Sequence, residues 1–135
     1  MRAALELALD SKWDGVRVTA AKALCRWGDE ESIVAVKAAM AVLARKPLRW
    51  ANVGALASAL APHLGPQDAG WAVQLLSEDA HVDNVLCLRP LFDHLREADV
   101  MPLLKKALTS ATTERRAVAL SFMQRRVIAR SSAAP

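Results

Sequence analysis

Residues 10–29 read Asp10-Ser11-Lys12-Trp13-Asp14-Gly15-Val16-Arg17-Val18-Thr19-Ala20-Ala21-Lys22-Ala23-Leu24-Cys25-Arg26-Trp27-Gly28-Asp29. From position 14 to 27 apolar residues recur at helical spacing. Val16, Ala20, Ala23, Leu24 and Trp27 share one face, and Thr19, Lys22 and Arg26 share the opposite one. Gly28 stops this helix and Asp29 caps the next, with Glu30 and Glu31 favourable in its first turn. One amphipathic helix pair cannot bury its apolar stripe alone, so the segment predicts a stack of helical hairpins.

The same punctuation extends along the chain. Helices are predicted near 2–11, 14–27, 30–45, 47–61, 67–77, 82–96, 100–110 and 113–130. Pro47 restarts the chain after the third helix, and Pro62 with Gly65-Pro66 ends the fourth. Ser77-Glu78-Asp79 reads as a turn. Pro90 should kink or split the sixth helix. Asp99 is expected to cap the seventh, with Pro102 still in its first turn, and 131–135 to form a flexible tail. Asp29 and Asp68 are 39 residues apart and Asp68 and Asp99 are 31 apart, periods characteristic of helical arrays. The implied pairs are 2–27, 30–63, 67–96 and 99–130, one domain spanning 1–130.

Composition agrees with an all-α fold. The chain has 135 residues, 53% of them hydrophobic and 24% charged, with no tyrosine and two phenylalanines. That palette favours helix over strand and can fill a core. No apolar run reaches the roughly 18 residues that a membrane span needs, and an acid at Glu6 argues against a secretory leader. Cys25 and Cys87 read as two reduced thiols, which places the expectation in the cytoplasm. Net charge is +4, laid out as +3 over residues 1–65, −5 over 66–100 and +6 over 101–135. Such polarity steers partners.

The quoted segment resembles a HEAT repeat of the lyase-like subclass. Asp10 or Asp14 stands for the aspartate of the inter-helix turn, and Val16-Arg17 for the Val-Arg pair. Ala20-Ala21-Lys22-Ala23-Leu24 stands for the Ala-Ala-x-x-Leu run, and Gly28-Asp29 for the close. The match covers about 20 residues. Later pairs carry degenerate counterparts in Arg49-Trp50-Ala51-Asn52-Val53, Asp83-Asn84-Val85 and Glu114-Arg115-Arg116-Ala117-Val118-Ala119-Leu120. The resemblance implies a right-handed α-solenoid of about four antiparallel pairs, with the second helix of each pair on the concave face. It also implies that Arg17 supports the turn aspartates by hydrogen bonds. The family is mostly scaffolding, so no single activity follows.

Lys22, Arg26, Arg49, Arg89, Arg115 and Arg126 would line the concave face. Arg116 and Arg130 extend the basic last helix, where Arg115, Arg126 and Arg130 fall within about 60° of one another. Asp79 with Asp83 and Asp93 with Glu97 are four residues apart, a spacing expected of solvated carboxylates. His63, His81 and His94 show no ligand spacing, and neither cysteine has a base in a recognised pattern. Trp13, Trp27, Trp50 and Trp71 sit near helix ends and are expected to pack at junctions between pairs.

No catalytic, metal or cofactor site is therefore expected. The leading reading is a non-catalytic scaffold or adaptor that binds another protein. A nucleic-acid-binding module using a basic face is the alternative, since some HEAT-like proteins cradle DNA that way, although the −5 segment interrupts the track. A lyase-type or other enzyme subunit rests on fold analogy only. The apolar first helix, with Leu5, Leu7 and Leu9, also allows a homodimer through exposed terminal helices. A membrane partner is not expected.

Overall fold

Fourteen residues, Asp14–Trp27, form the helix that the opening segment predicts. The computed structural model describes residues 2–133, with side chains described through Gln124. The elements are α1 (Arg2–Ala8), α2 (Asp14–Trp27), α3 (Glu30–Ala44), α4 (Trp50–Leu60), α5 (Ala69–Gln74), α6 (Arg89–His94), α7 (Glu97–Ala107) and α8 (Thr113–Ala133). No strand occurs among the described residues. None of their helices is long and apolar enough to cross a membrane.

In the first half of the chain consecutive helices pack together, and from α4 onward alternate helices do. α1 lies on α2; α2 packs on α3 and α4; α3 packs on α4. α4 in turn meets α6 and the 3-10 turn Val82–Leu88 that precedes it, α5 meets α7, and α6 meets α8. One continuous core results, running from Leu9 and Leu24 through Met40, Leu56, Leu76 and Leu88 to Phe92 and Phe122. The last two rings lie 5.5 Å apart and join α6 to α8.

Local chemistry sets the boundaries. Gly28 adopts φ 73°, and its N–H donates to the Leu24 carbonyl at 3.1 Å. A side chain there would also press on the His63 ring at 3.3 Å. Asp29 caps α3 as expected, accepting from the Ser32 N–H at 3.3 Å and from its hydroxyl at 2.5 Å. The fourth helix starts at Trp50 rather than Pro47, because residues 45–49 form a tight turn in which Leu48 is left-handed at φ 55°.

Several expectations need correction. The buried stripe of α2 is Val18, Ala20, Ala21, Leu24 and Cys25, while Val16 and Trp27 are exposed. That face lies about a quarter turn from the predicted one. Alanines and a cysteine fill the contact because their small side chains let α3 and α4 come close. The fifth helix passes into a π-turn at Leu75–Asp79, which takes in the expected Ser77-Glu78-Asp79 turn. The sixth is split, as Pro90 requires: the carbonyl of Leu86, four residues back, is taken by the Arg89 N–H in a 3-10 bond. α7 starts at Glu97 with Arg96 in the capping position, so Asp99 is inside the first turn and Pro102 lies beyond it. α8 takes in residues 131–133 of the expected tail; positions 134 and 135 lie outside the described residues.

Two backbone positions give opposite expectations. Gly28→Ala should lower stability by about 1–2 kcal/mol, the cost of a left-handed L-residue. Leu48→Gly removes the same penalty, offset by about 0.5–1 kcal/mol of glycine entropy, and should be neutral or stabilising. Urea unfolding of both variants measures this, and a loss of stability in Leu48→Gly would refute the strain at that turn.

Candidate functional site

The turns inside successive hairpins lie side by side and are joined by a ladder of polar bonds. Asp14, at the start of α2, accepts from the Arg49 Nε and from Lys46 Nζ at 3.5 Å. Asn84 is fully buried; its Nδ2 donates to the carbonyls of Ala44 at 2.8 Å and Lys46 at 2.7 Å, and its Oδ1 accepts from the Arg49 N–H at 2.9 Å. The Leu48 N–H donates to Asp83 Oδ2 at 3.1 Å, and the His81 N–H to the Ala44 carbonyl at 2.8 Å. Arg115 continues the ladder, donating from Nη1 to the Leu76 carbonyl at 2.9 Å and from Nη2 to the Ala80 carbonyl.

Seen on this ladder, the expected partner-binding set divides. Arg49 and Arg115 are half-buried and engaged between hairpins. Arg89 faces Asp93 at 3.7 Å, and Arg116 donates to the Ala111 carbonyl at 3.1 Å. Lys22 and Arg26 are exposed on α2, four residues apart, and neither has an ion-pair partner among the described residues. The side chains of Arg126 and Arg130 lie outside the described residues. Arg17 supports the first turn through the Ser11 carbonyl rather than through an aspartate.

The other candidates are in ordinary settings. His94 Nε2 faces the Leu64 carbonyl at 3.2 Å, and His81 Nδ1 accepts from the Asp83 N–H at 3.1 Å. Burial pushes the Cys25 thiol up to about 11. Cys87 is also raised, by burial that outweighs the nearby Arg89. Both thiols are therefore protonated near neutrality and poor nucleophiles. Among the described residues no group of three His, Cys, Asp or Glu is placed to hold a metal ion.

Sequence reading missed the apolar side chains on the outside. Trp13 is 65% exposed, Trp50 58% and Leu48 72%. Val16, Trp27, Val82 and Leu86 are exposed as well. Only Trp71 packs as expected, half-buried against the core with Lys37 Nζ 5.0 Å from its ring centre. That lysine pairs with buried Asp68 at 2.5 Å. Between α1 and α2 runs an open groove of about 690 Å³ lined mainly by Leu5, Ala8, Trp13, Val16, Thr19 and Ala20. Val16 and Trp27 lay in plain view in the sequence; assigning them to the core hid the signal.

Comparison with known proteins finds no matching family model, no matching curated protein and no matching solved structure.

The bonds make two tests of this division. Asn84→Ala should cost about 2–4 kcal/mol, because it strips partners from buried backbone groups. Lys22→Ala and Arg26→Ala should each stay within about 0.5 kcal/mol. Chemical denaturation of the three variants checks both statements.

The Asp14 carboxyl gives a pH expectation. Burial raises its pKa, but the bonds from Arg49 and the charge of Lys46 outweigh that and hold it below the ordinary 3.8. Asp29 is also lowered, first by the Ser32 hydroxyl. On acidification the unfolded chain takes up these protons first. The stability they contribute is therefore complete above pH 3.8 and is lost as pH falls through the folded values. Asp14→Asn should flatten the fall in melting temperature below about pH 4; an unchanged profile would remove Asp14 from the account.

Proposed function

We propose that the chain is a non-catalytic interaction module: a HEAT-like α-solenoid whose hairpins stack side by side and whose exposed apolar residues bind another protein. The observation that carries this reading is the placement of Trp13, Leu48 and Trp50 outside the core, at the turns of the first two hairpins. Large aromatics in such positions are enriched in protein interfaces. The neighbour-to-neighbour packing of α2, α4, α6 and α8 supports the stacked-hairpin part of the proposal. The resemblance of residues 10–29 to a HEAT repeat supports the family part.

Nucleic-acid binding is less well supported. A phosphate track needs several free cations in line, whereas Arg49, Arg89, Arg115 and Arg116 all have partners within the chain.

The test is capture by the immobilised chain from a native extract, with and without nuclease, read by mass spectrometry and by nucleic-acid staining. A discrete protein retained after nuclease treatment is the expected result. Recovery of nucleic acid alone, or loss of every protein on nuclease treatment, would overturn the reading.

A further inference from the structure

The groove between α1 and α2 differs from the rest of the surface in two respects. Its walls are mainly apolar, with Trp13 and Val16 open to solvent at one end. Among its lining residues only Asp14 is charged, and exposed cations flank it. Lys12 stands 5.4 Å from the Trp13 ring centre, and Lys22 and Arg26 follow along α2. The carboxylate at the mouth, Asp14, is already held by Arg49 and Lys46.

Helical spacing makes these features continuous. Val16, Thr19, Ala23 and Arg26 are three, four and three residues apart, with Lys22 beside them, so they form one stripe along α2, exposed except at the half-buried Ala23. The stripe is apolar where it borders the groove and basic toward the C-terminal end. α2 has 14 residues, about 21 Å of axis at 1.5 Å per residue. The groove itself is shorter, walled by the seven residues of α1, about 10 Å, and lined on α2 only as far as Ala20, so an occupant that touches both the groove and Arg26 is elongated.

The geometry points to an acidic amphipathic helix of a partner protein as the occupant, lying along α2 with its apolar seam in the α1–α2 groove and its carboxylates against Lys12, Lys22 and Arg26. This deepens the interaction-module reading and rests on it. Charge decides between this occupant and a second copy of the chain. A two-fold dimer sets the same patch against itself, so the cations beside the groove meet a surface that carries the same cations and, among the groove's lining residues, no free carboxylate to pair with them. Like charges across an interface are unfavourable, and opposite charges favour both encounter and register.

The experiment uses the full chain labelled with ¹⁵N and two 16-residue synthetic peptides. Both carry leucines at i, i+3, i+4 and i+7; one is flanked by glutamates, the other by lysines. The glutamate peptide should shift the Trp13 indole N–H saturably and leave the Trp71 indole in place. It should bind at least tenfold more tightly than the lysine peptide. Lys22→Glu with Arg26→Glu should weaken it at least tenfold, and Val16→Asp should abolish the shift, with thermal unfolding confirming that each variant is folded. An unmoved Trp13 signal, equal binding of the two peptides, or indifference to charge reversal would overturn the proposal. So would a dimer in sedimentation that Val16→Asp dissociates, or a dT20 oligonucleotide that shifts Trp13 and competes out the glutamate peptide. If the peptide fails while Val16→Asp still captures the same protein from extract, the groove assignment falls and the module reading stands.

Discussion

The carboxamide of Asn84 holds together the middle of the molecule. It is fully buried and satisfies two carbonyls and one N–H of the turn before α4. A buried amide is costly unless every bond is made, so the third hairpin has one register against the second in which this side chain is content. Asp14 and Arg115 repeat the arrangement on either side with charges in place of an amide. Apolar burial supplies the bulk of the driving force for stacking. It is not directional, and the polar ladder determines which turn lies beside which.

That ladder has a consequence for the surface. It draws Arg49, Lys46, Asp14 and Arg115 inward between hairpins, where each is bonded within the chain. The same tight turns leave the adjoining apolar residues nowhere to go but outward. Leu48 shows this most clearly: its N–H is fixed by Asp83 and the next N–H by Asn84. These bonds hold a bulky residue at φ 55° with its side chain in solvent. The result is a rim of apolar side chains over a polar ladder.

Helix content and the start and stop of α2 were legible in the sequence, because glycine, aspartate and proline punctuate it by strong local rules. Gly28 and Asp29 do what their types dictate. The rotation of α2 was not legible. Val16 and Trp27 outweigh Ala21 and Cys25 in hydrophobicity, yet close helix contacts favour the smaller residues, a demand set by α3 and α4 rather than by α2 itself. The fates of the arginines were equally hidden. Arg115 and Arg116 are neighbours of one type, and only the placement of the Leu76 and Ala80 carbonyls distinguishes them. Asn84 gave one usable sign, a short polar residue set just before the buried Val85.

The two walls of the α1–α2 groove are unequal in a way that bears on recognition. α2 buries five residues and is braced by α3 and α4. α1 buries none; besides its contact with α2 it is tethered by Arg2 to Asp29 and Glu31, each at 2.9 Å and all partly open to water. Exposed pairs of this kind contribute roughly 0–1 kcal/mol each, so α1 is the element that yields at least cost. A ligand seated against α2 therefore meets one fixed face, which sets its register, and one compliant face, which adjusts to its bulk. Lys22 and Arg26, the cations proposed to meet it, lie on the fixed side. Charge selectivity should accordingly be sharper at this groove than selectivity for the size of the apolar side chains it takes.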